Sequence, residues 1–155
     1  MDDPETLNDF CKPIDGYEAP YAKAQMVMFN DSAVTGETPA NAEEFMEYCK
    51  KYAGKVTYPA LPDFTGSAFV RNIIYDICGW EQFQTMEADY DTVKAEIEPA
   101  LEYLRKLNPY LWNQGKSFPE TSTKVDAMFA DGELVMNMSY SPFSVATGIA
   151  QGIYT

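Results

Sequence analysis

The 155-residue chain has no histidine. That removes the side chain most used as general base, the commonest metal ligand, and every Ser-His or Cys-His nucleophile pair. Basic residues are scarce: 11 Lys and Arg stand against 24 Asp and Glu, a formal charge of −13. A surface of that sign repels nucleic-acid backbones and anionic membranes, so neither is expected as a partner. No apolar run approaches the length needed to cross a bilayer, and the acidic start Met1-Asp-Asp-Pro4 is not a signal peptide. Cysteine is limited to Cys11, Cys49 and Cys78, an odd number that cannot all pair with one another. Cys49 and Cys78 fall on apolar helical faces, where buried thiols are expected. No Walker loop, dinucleotide-binding glycine fingerprint or zinc-ligand spacing occurs, and no cofactor or metal is expected.

The chain does have core-forming residues. Apolar residues make up 46% of it and aromatics 14%, enough for a single domain with a real core rather than a disordered chain. Residues 1–15 read as a loop. Gly16-Tyr-Glu-Ala-Pro20-Tyr21 is a turn leading to a buried strand, Ala24–Phe29. A helix follows, with Asn41 and Glu44 set as a capping box, Ala42, Phe45, Met46, Cys49 and Ala53 as its apolar stripe, and Gly54 as its stop.

The most informative stretch is Val56 to Cys78. A β-branched strand, Val56–Tyr58, enters a Pro-rich turn, and Thr65 takes the N-cap position of a helix carrying Phe69, Val70, Ile73, Ile74 and Ile77, with Gly79 as its stop. Gly66, Ser67 and Ala68 are small, which leaves first-turn N–H groups uncovered as an anion site. An ordinary capped helix fits the same pattern.

An acidic connector, Glu81–Asp91, precedes a helical segment Thr92–Leu107, in which Pro99 either kinks one helix or opens a second. Asn108–Pro119 is an aromatic loop, where Trp112 either stacks on a ligand or plugs a core edge. Thr121 or Ser122 caps a short helix with Val125, Met128 and Phe129. Asp131-Gly132 turns into a strand Leu134–Met138, and Ser141-Pro142 is read as N-cap and first residue of a last helix ending at Gly152. Alternating strands and amphipathic helices give an α/β domain with helices on both faces of its sheet. If the strands before residues 65 and 141 are parallel neighbours, both helix N-termini open into one crevice. Backbone N–H groups and the hydroxyls of Thr65, Ser67, Tyr140 and Ser141 would then hold one anionic or strongly polar group.

Gly16-Tyr-Glu-Ala-Pro-Tyr21, Thr57-Tyr-Pro-Ala-Leu-Pro-Asp-Phe-Thr-Gly-Ser-Ala-Phe-Val-Arg71, Leu111-Trp-Asn-Gln-Gly-Lys-Ser-Phe-Pro119 and Ala130-Asp-Gly-Glu133 together resemble the solute-binding proteins of ABC importers. The similarity is to the YnjB-like branch of the family-1 extracellular proteins. Ser139-Tyr-Ser-Pro142 also resembles a turn of thiamine-binding relatives. The resemblance implies a three-layer α/β/α lobe of the type II periplasmic-binding-protein fold, spanning residues 16–155, with residues 1–15 a linker or the remnant of a preceding lobe. It implies the second lobe only of a longer two-lobe protein, whose first lobe and export signal lie elsewhere, working in a periplasm or tethered to a cell surface.

The same resemblance implies ligand contacts at the helix start Phe64, Thr65, Gly66 and Ser67, at the turn Tyr140 and Ser141, and at the crossover aromatics Tyr17 and Tyr21. The implied partners are a small solute, phosphorylated, sulfated or thiamine-like, and an ABC permease. Iron is not implied, because histidine and adjacent tyrosines are both missing. The competing reading is a metal-assisted α/β hydrolase or transferase using Asp63 or Glu120 as base.

Overall fold

A computed structural model of the chain describes residues 7–9, 12–19, 21, 24–141 and 143–154. Pro4, Cys11, Pro20, Pro142 and Thr155, each used in the sequence reading, lie outside the described residues. The described residues form a mixed α/β structure in which helices dominate. Its strands are β1 (Asn8–Asp9), β2 (Lys12–Pro13), β3 (Val27–Asn30) and β4 (Met136–Ser139). Its α-helices are α1 (Ser32–Thr35), α2 (Ala42–Lys51), α3 (Phe64–Cys78), α4 (Tyr90–Leu107), α5 (Ser122–Ala130) and α6 (Ser144–Ala150). A small antiparallel hairpin, β1–β2, therefore stands where the sequence reads as loop.

The strand pair at the centre is antiparallel, with Val27 opposite Ser139 and Asn30 opposite Met136. The expected third strand, Val56–Tyr58, is not in a ladder. It is buried and extended, but its neighbours are mostly loops: Trp112 N donates to the Val56 carbonyl (2.8 Å) and Ala60 N to that of Pro119 (2.7 Å). Only Val135 N, which donates to the Lys55 carbonyl (2.9 Å), ties this segment to the entry of β4. Pro59 and Pro62 have no N–H to offer, so a ladder cannot extend through them. Among the described residues no parallel strand pair forms, so the parallel arrangement expected before residues 65 and 141 is corrected.

The core lies where α2, α3 and α4 meet the extended segment. Phe69 stacks on Tyr58 with ring centroids 4.4 Å apart, and Phe45 meets Phe69 at 5.6 Å. Cys49, Val56, Ala100, Leu107 and Leu111 close around them. Burying a side chain such as Phe69 contributes about 2–3 kcal/mol. Cys49 is fully buried, and burial pushes its thiol up to about 12, so it stays protonated in the folded chain. Cys78 is half-buried, and both thiols are free. Ala53 lies outside the α2 stripe and is exposed, whereas Tyr48, which the sequence reading omits, is buried.

Helix ends follow local chemistry. Asn41 caps α2 through the Glu44 N–H (2.9 Å), while the Glu44 carboxylate reaches back to Ala40 N (2.9 Å), closing a box one residue wider than the standard form. Asp76 of α3 accepts a further hydrogen bond from Ala42 N (2.7 Å), which fastens α2 to α3. Residues 90–107 are one helix with Pro99 inside it. Ala95 and Pro99 are both exposed, so the carbonyl that proline leaves without a donor lies on the solvent side. Thr121, of the two candidates, caps α5.

Candidate functional site

The turn at the start of α3 (63–67) and the end of β4 (139–141) come together. Tyr140 Oη–H donates to the Phe64 carbonyl (3.3 Å), and the two rings lie 5.0 Å apart at 41°. Phe64 is 55% exposed and Tyr140 is half-buried, so the pair forms an aromatic face at one end of the β3–β4 ladder. Burial raises the Tyr140 hydroxyl pKa above its ordinary value. Arg71 opposes that shift and Asp63 adds to it, so both charges are felt at the ring.

The junction at α3 is built differently from the sequence reading. Asp63, not Thr65, is the N-cap: its Oδ1 accepts from Thr65 N (2.8 Å) and Gly66 N (3.2 Å). Its carbonyl accepts from Ser67 N (2.9 Å), and its Oδ2 accepts from Ser122 N at the start of α5 (3.1 Å). One carboxylate thus closes two helix starts, and the first-turn N–H groups expected to be open are taken. The small residue at 66 has a packing reason. A Cβ there would stand 2.1 Å from the Pro59 carbonyl oxygen, so only glycine lets the helix approach the Pro59–Ala60 backbone. Thr65 and Gly66 are buried and Ser67 is half-buried, which leaves Phe64 as the side chain of this group that reaches solvent freely.

The second junction also departs from expectation. The last helix begins at Ser144, its N-terminal neighbour Phe143 has no side-chain cap bond, and Ser141 lies outside it. Ser141 is exposed, and its carbonyl accepts from the Ser144 hydroxyl (2.8 Å). The Ser144 and Ser139 hydroxyls are 2.8 Å apart, and Ser139 Oγ accepts from Ser141 N (3.1 Å). These serines therefore bond chiefly within their own turn. Tyr17 is 93% exposed and Tyr21 fully exposed, so neither is packed against the Phe64–Tyr140 pair.

Asp63 is unsuited to act as a base, because both carboxylate oxygens are held by backbone N–H groups. Glu120 is exposed, and no cluster of metal-ligating side chains forms among the described residues. The hydrolase reading is not favoured. Trp112 resolves as a core edge: it packs on Val125, Met128 and Leu134, and its indole N–H donates to Glu133 (2.7 Å).

Sequence reasoning missed a concavity of about 400 Å³ at the opposite end of the ladder. Phe29, Phe129 and Tyr154 contribute rings to its wall, with centroid separations of 5.2–6.0 Å, beside Asp31, Lys55 and Ile149. Those residues come from four separate segments with no shared motif, so no local signal marks them. Arg71 and Asp63, by contrast, sit inside the quoted 57–71 stretch.

Comparison with known proteins gives the family. A family model described as bacterial extracellular solute-binding protein matches residues 2–151. Protein YnjB of Escherichia coli K12 is 34% identical over 145 residues, covering 93% of this chain. The matched region is 37% of that relative's length, so the chain spans well under half of it. The chain belongs to the bacterial extracellular solute-binding proteins, a family of binding proteins rather than enzymes.

Proposed function

We propose that this chain is a ligand-facing lobe of a two-lobed receptor that captures a small polar solute outside the cytoplasmic membrane and delivers it to an ABC permease. The observation that carries the reading is the meeting of Phe64 and Tyr140: two junctions 76 residues apart in sequence share one solvent-facing patch in a chain of this family. Ligand capture in such a receptor is differential binding, in which closing the lobes buries the solute and the closed form is the one a permease engages. On this reading residues 16–155 are one α/β lobe of the type II periplasmic-binding-protein kind. Its central sheet is completed as a three-layer α/β/α unit within the longer protein. Residues 1–15 lead in from a preceding lobe. The working location is a periplasm, or a cell surface through a lipid anchor.

Phe64 and Tyr140 are the proposed solute contacts, with Ser67 and Ser141 at the rim. Thr65 and Gly66 support them from below. Tyr17 and Tyr21 join only if the lead-in segment folds over the patch when the lobes close.

The test is the complete gene and its product. It is expected to encode an export signal and a first lobe, beside permease and ATPase genes, and its protein is expected to show a ligand-dependent rise in melting temperature with some small solute. The 155-residue chain alone is expected to bind the same solute at least a hundredfold more weakly, because half the cleft is missing. Equal affinity of the two would sink the two-lobe reading.

A further inference from the structure

Resting on the reading of this chain as part of a longer two-lobed protein, we infer that the hollow beside α6 is an internal seam, filled by the apolar face of a helix of the same polypeptide from outside residues 1–155. The first observation is the sequence of that region. From Leu134 to Thr155 no Asp, Glu, Lys or Arg occurs, in a chain that is 23% charged. The start of this run needs no further account, because Leu134, Val135, Met136, Asn137 and Met138 are all buried. Its later part does. α6 and the turn after it read Ser144-Val-Ala-Thr-Gly-Ile-Ala-Gln-Gly-Ile153, a helix with no charged face. A helix of that kind is ordinarily buried all round. Here only Gly148 of α6 is buried, while Ala146, Thr147, Ile149 and Ala150 are exposed.

The exposed aliphatic residues are not scattered. Ile149, Ile153 and, from α1, Val34 are each more than half exposed, and all three border the concavity of about 400 Å³ that Phe29, Phe129 and Tyr154 line. Tyr154 already covers the inner side of α6: a Cβ on Gly148 would stand 2.5 Å from its ring. The outer side, where Ala146, Ile149 and Ala150 share one face, is left for another partner. Three walls of the hollow are sides of α1, α5 and α6, whose backbone groups bond within their own helices. An occupant that buries its backbone there must pair it internally, and a helix does so. The occupant is assigned to the same polypeptide for two reasons. The matched region is 37% of the length of Protein YnjB, so most of such a protein lies outside this part. A formal charge of −13 opposes the approach of a second copy, whereas a tethered segment is present at high effective concentration.

The experiment is hydroxyl-radical footprinting of the complete protein, read by mass spectrometry, with light scattering for its oligomeric state. Val34, Ile149 and Ile153 are expected to label about tenfold or more slowly in the native monomer than in the unfolded protein, at every protein concentration. Tyr90, which is 75% exposed at the start of α4, is expected to stay within about threefold. Ile149→Lys places a cation in the last turn of α6, which an open helix end favours. In the complete protein it is expected instead to lower the melting temperature by about 5 °C or more, while Tyr90→Gln stays within about 2 °C. Native labelling of Ile149 and Ile153 as fast as that of Tyr90, or an unchanged melting temperature in Ile149→Lys, overturns the seam. Protection lost on dilution to monomers assigns the face to a second copy, and protection that needs added phosphatidylcholine vesicles assigns it to lipid; either overturns the inference. A gene that encodes nothing beyond these residues sinks the two-lobe reading, whereas a longer protein with a freely labelled α6 sinks this inference alone.

Discussion

The starts of α3 and α6 lie on either side of one aromatic contact, yet they are built by different means. At α3 a single carboxylate gathers three backbone N–H groups from two helices, and the backbone of the helix is pressed against the preceding turn at a glycine. At α6 three serines share hydrogen bonds inside a short loop, and the helix that follows has no side-chain cap. The first junction is over-determined and depends on particular atoms. The second is held by neutral, mutually replaceable bonds, so it is the one that yields more easily. If the patch is the solute contact proposed above, one rigid and one yielding wall would combine pre-organisation with accommodation.

The largest effect expected from breaking this contrast is Gly66→Ala. The added methyl would stand 2.1 Å from the Pro59 carbonyl oxygen, a backbone atom that cannot rotate away. A forced separation of helix and turn costs about 3 kcal/mol, in the upper range for overpacking. That corresponds to a fall of roughly 6–12 °C in melting temperature for a chain of this size. An unchanged melting temperature would show that α3 does not sit against Pro59 as described.

Asp63→Ala comes next. It removes an N-cap and leaves Ser122 N without its acceptor, for a loss of about 2 kcal/mol. Asn at this position keeps one acceptor oxygen, so Asp63→Asn is expected to lose about half as much, measured by urea denaturation. Identical losses for the two variants would mean that charge, rather than the two-helix tie, is what matters at this carboxylate. Tyr140→Phe removes only the 3.3 Å bond to the Phe64 carbonyl in a half-exposed setting, and is expected to cost about 0.5–1 kcal/mol.

Much of this architecture is legible in the residues. The spacing of Phe69, Val70, Ile73 and Ile77 marks α3, Gly79 marks its end, and Asn41 with Glu44 marks the start of α2, because each depends on neighbours within one helical turn. What the sequence hides depends on distant partners. Asp63 and Thr65 are both good capping residues, and the choice between them is made by Ser122, 59 positions away, which gives the aspartate a second job. Val56–Tyr58 has the composition of a strand, but the Val56 carbonyl accepts from Trp112 N, and the next tie along the chain is Ala60 N to the Pro119 carbonyl, so its partners are loop segments rather than a strand. Ser141-Pro142 has the form of a helix start, while the helix begins later, where the Ser144 hydroxyl can reach both Ser139 and Ser141. The convergence of the two junctions was readable only on the condition that their strands be parallel neighbours, and that condition fails: the junctions meet although 56–58 joins no sheet, through the Phe64–Tyr140 contact that the reading did not foresee.

The smallest effect is the most discriminating. Ser144→Ala removes a hydroxyl that lies 2.8 Å from Ser139 Oγ and 2.8 Å from the Ser141 carbonyl. Ser139 Oγ keeps its bond from Ser141 N, and the exposed Ser141 carbonyl can turn to water, so no buried group is orphaned. The expected loss is below about 0.5 kcal/mol, within the range of surface changes. Amide hydrogen exchange gives the sharper reading. Protection across residues 144–150 should fall in this variant while protection across 64–78 stays unchanged, because α3 draws its capping bonds from Asp63 and none from the serine turn. If exchange quickens equally in both helices, the two junctions open as one unit, and the division into a rigid wall and a yielding one is wrong.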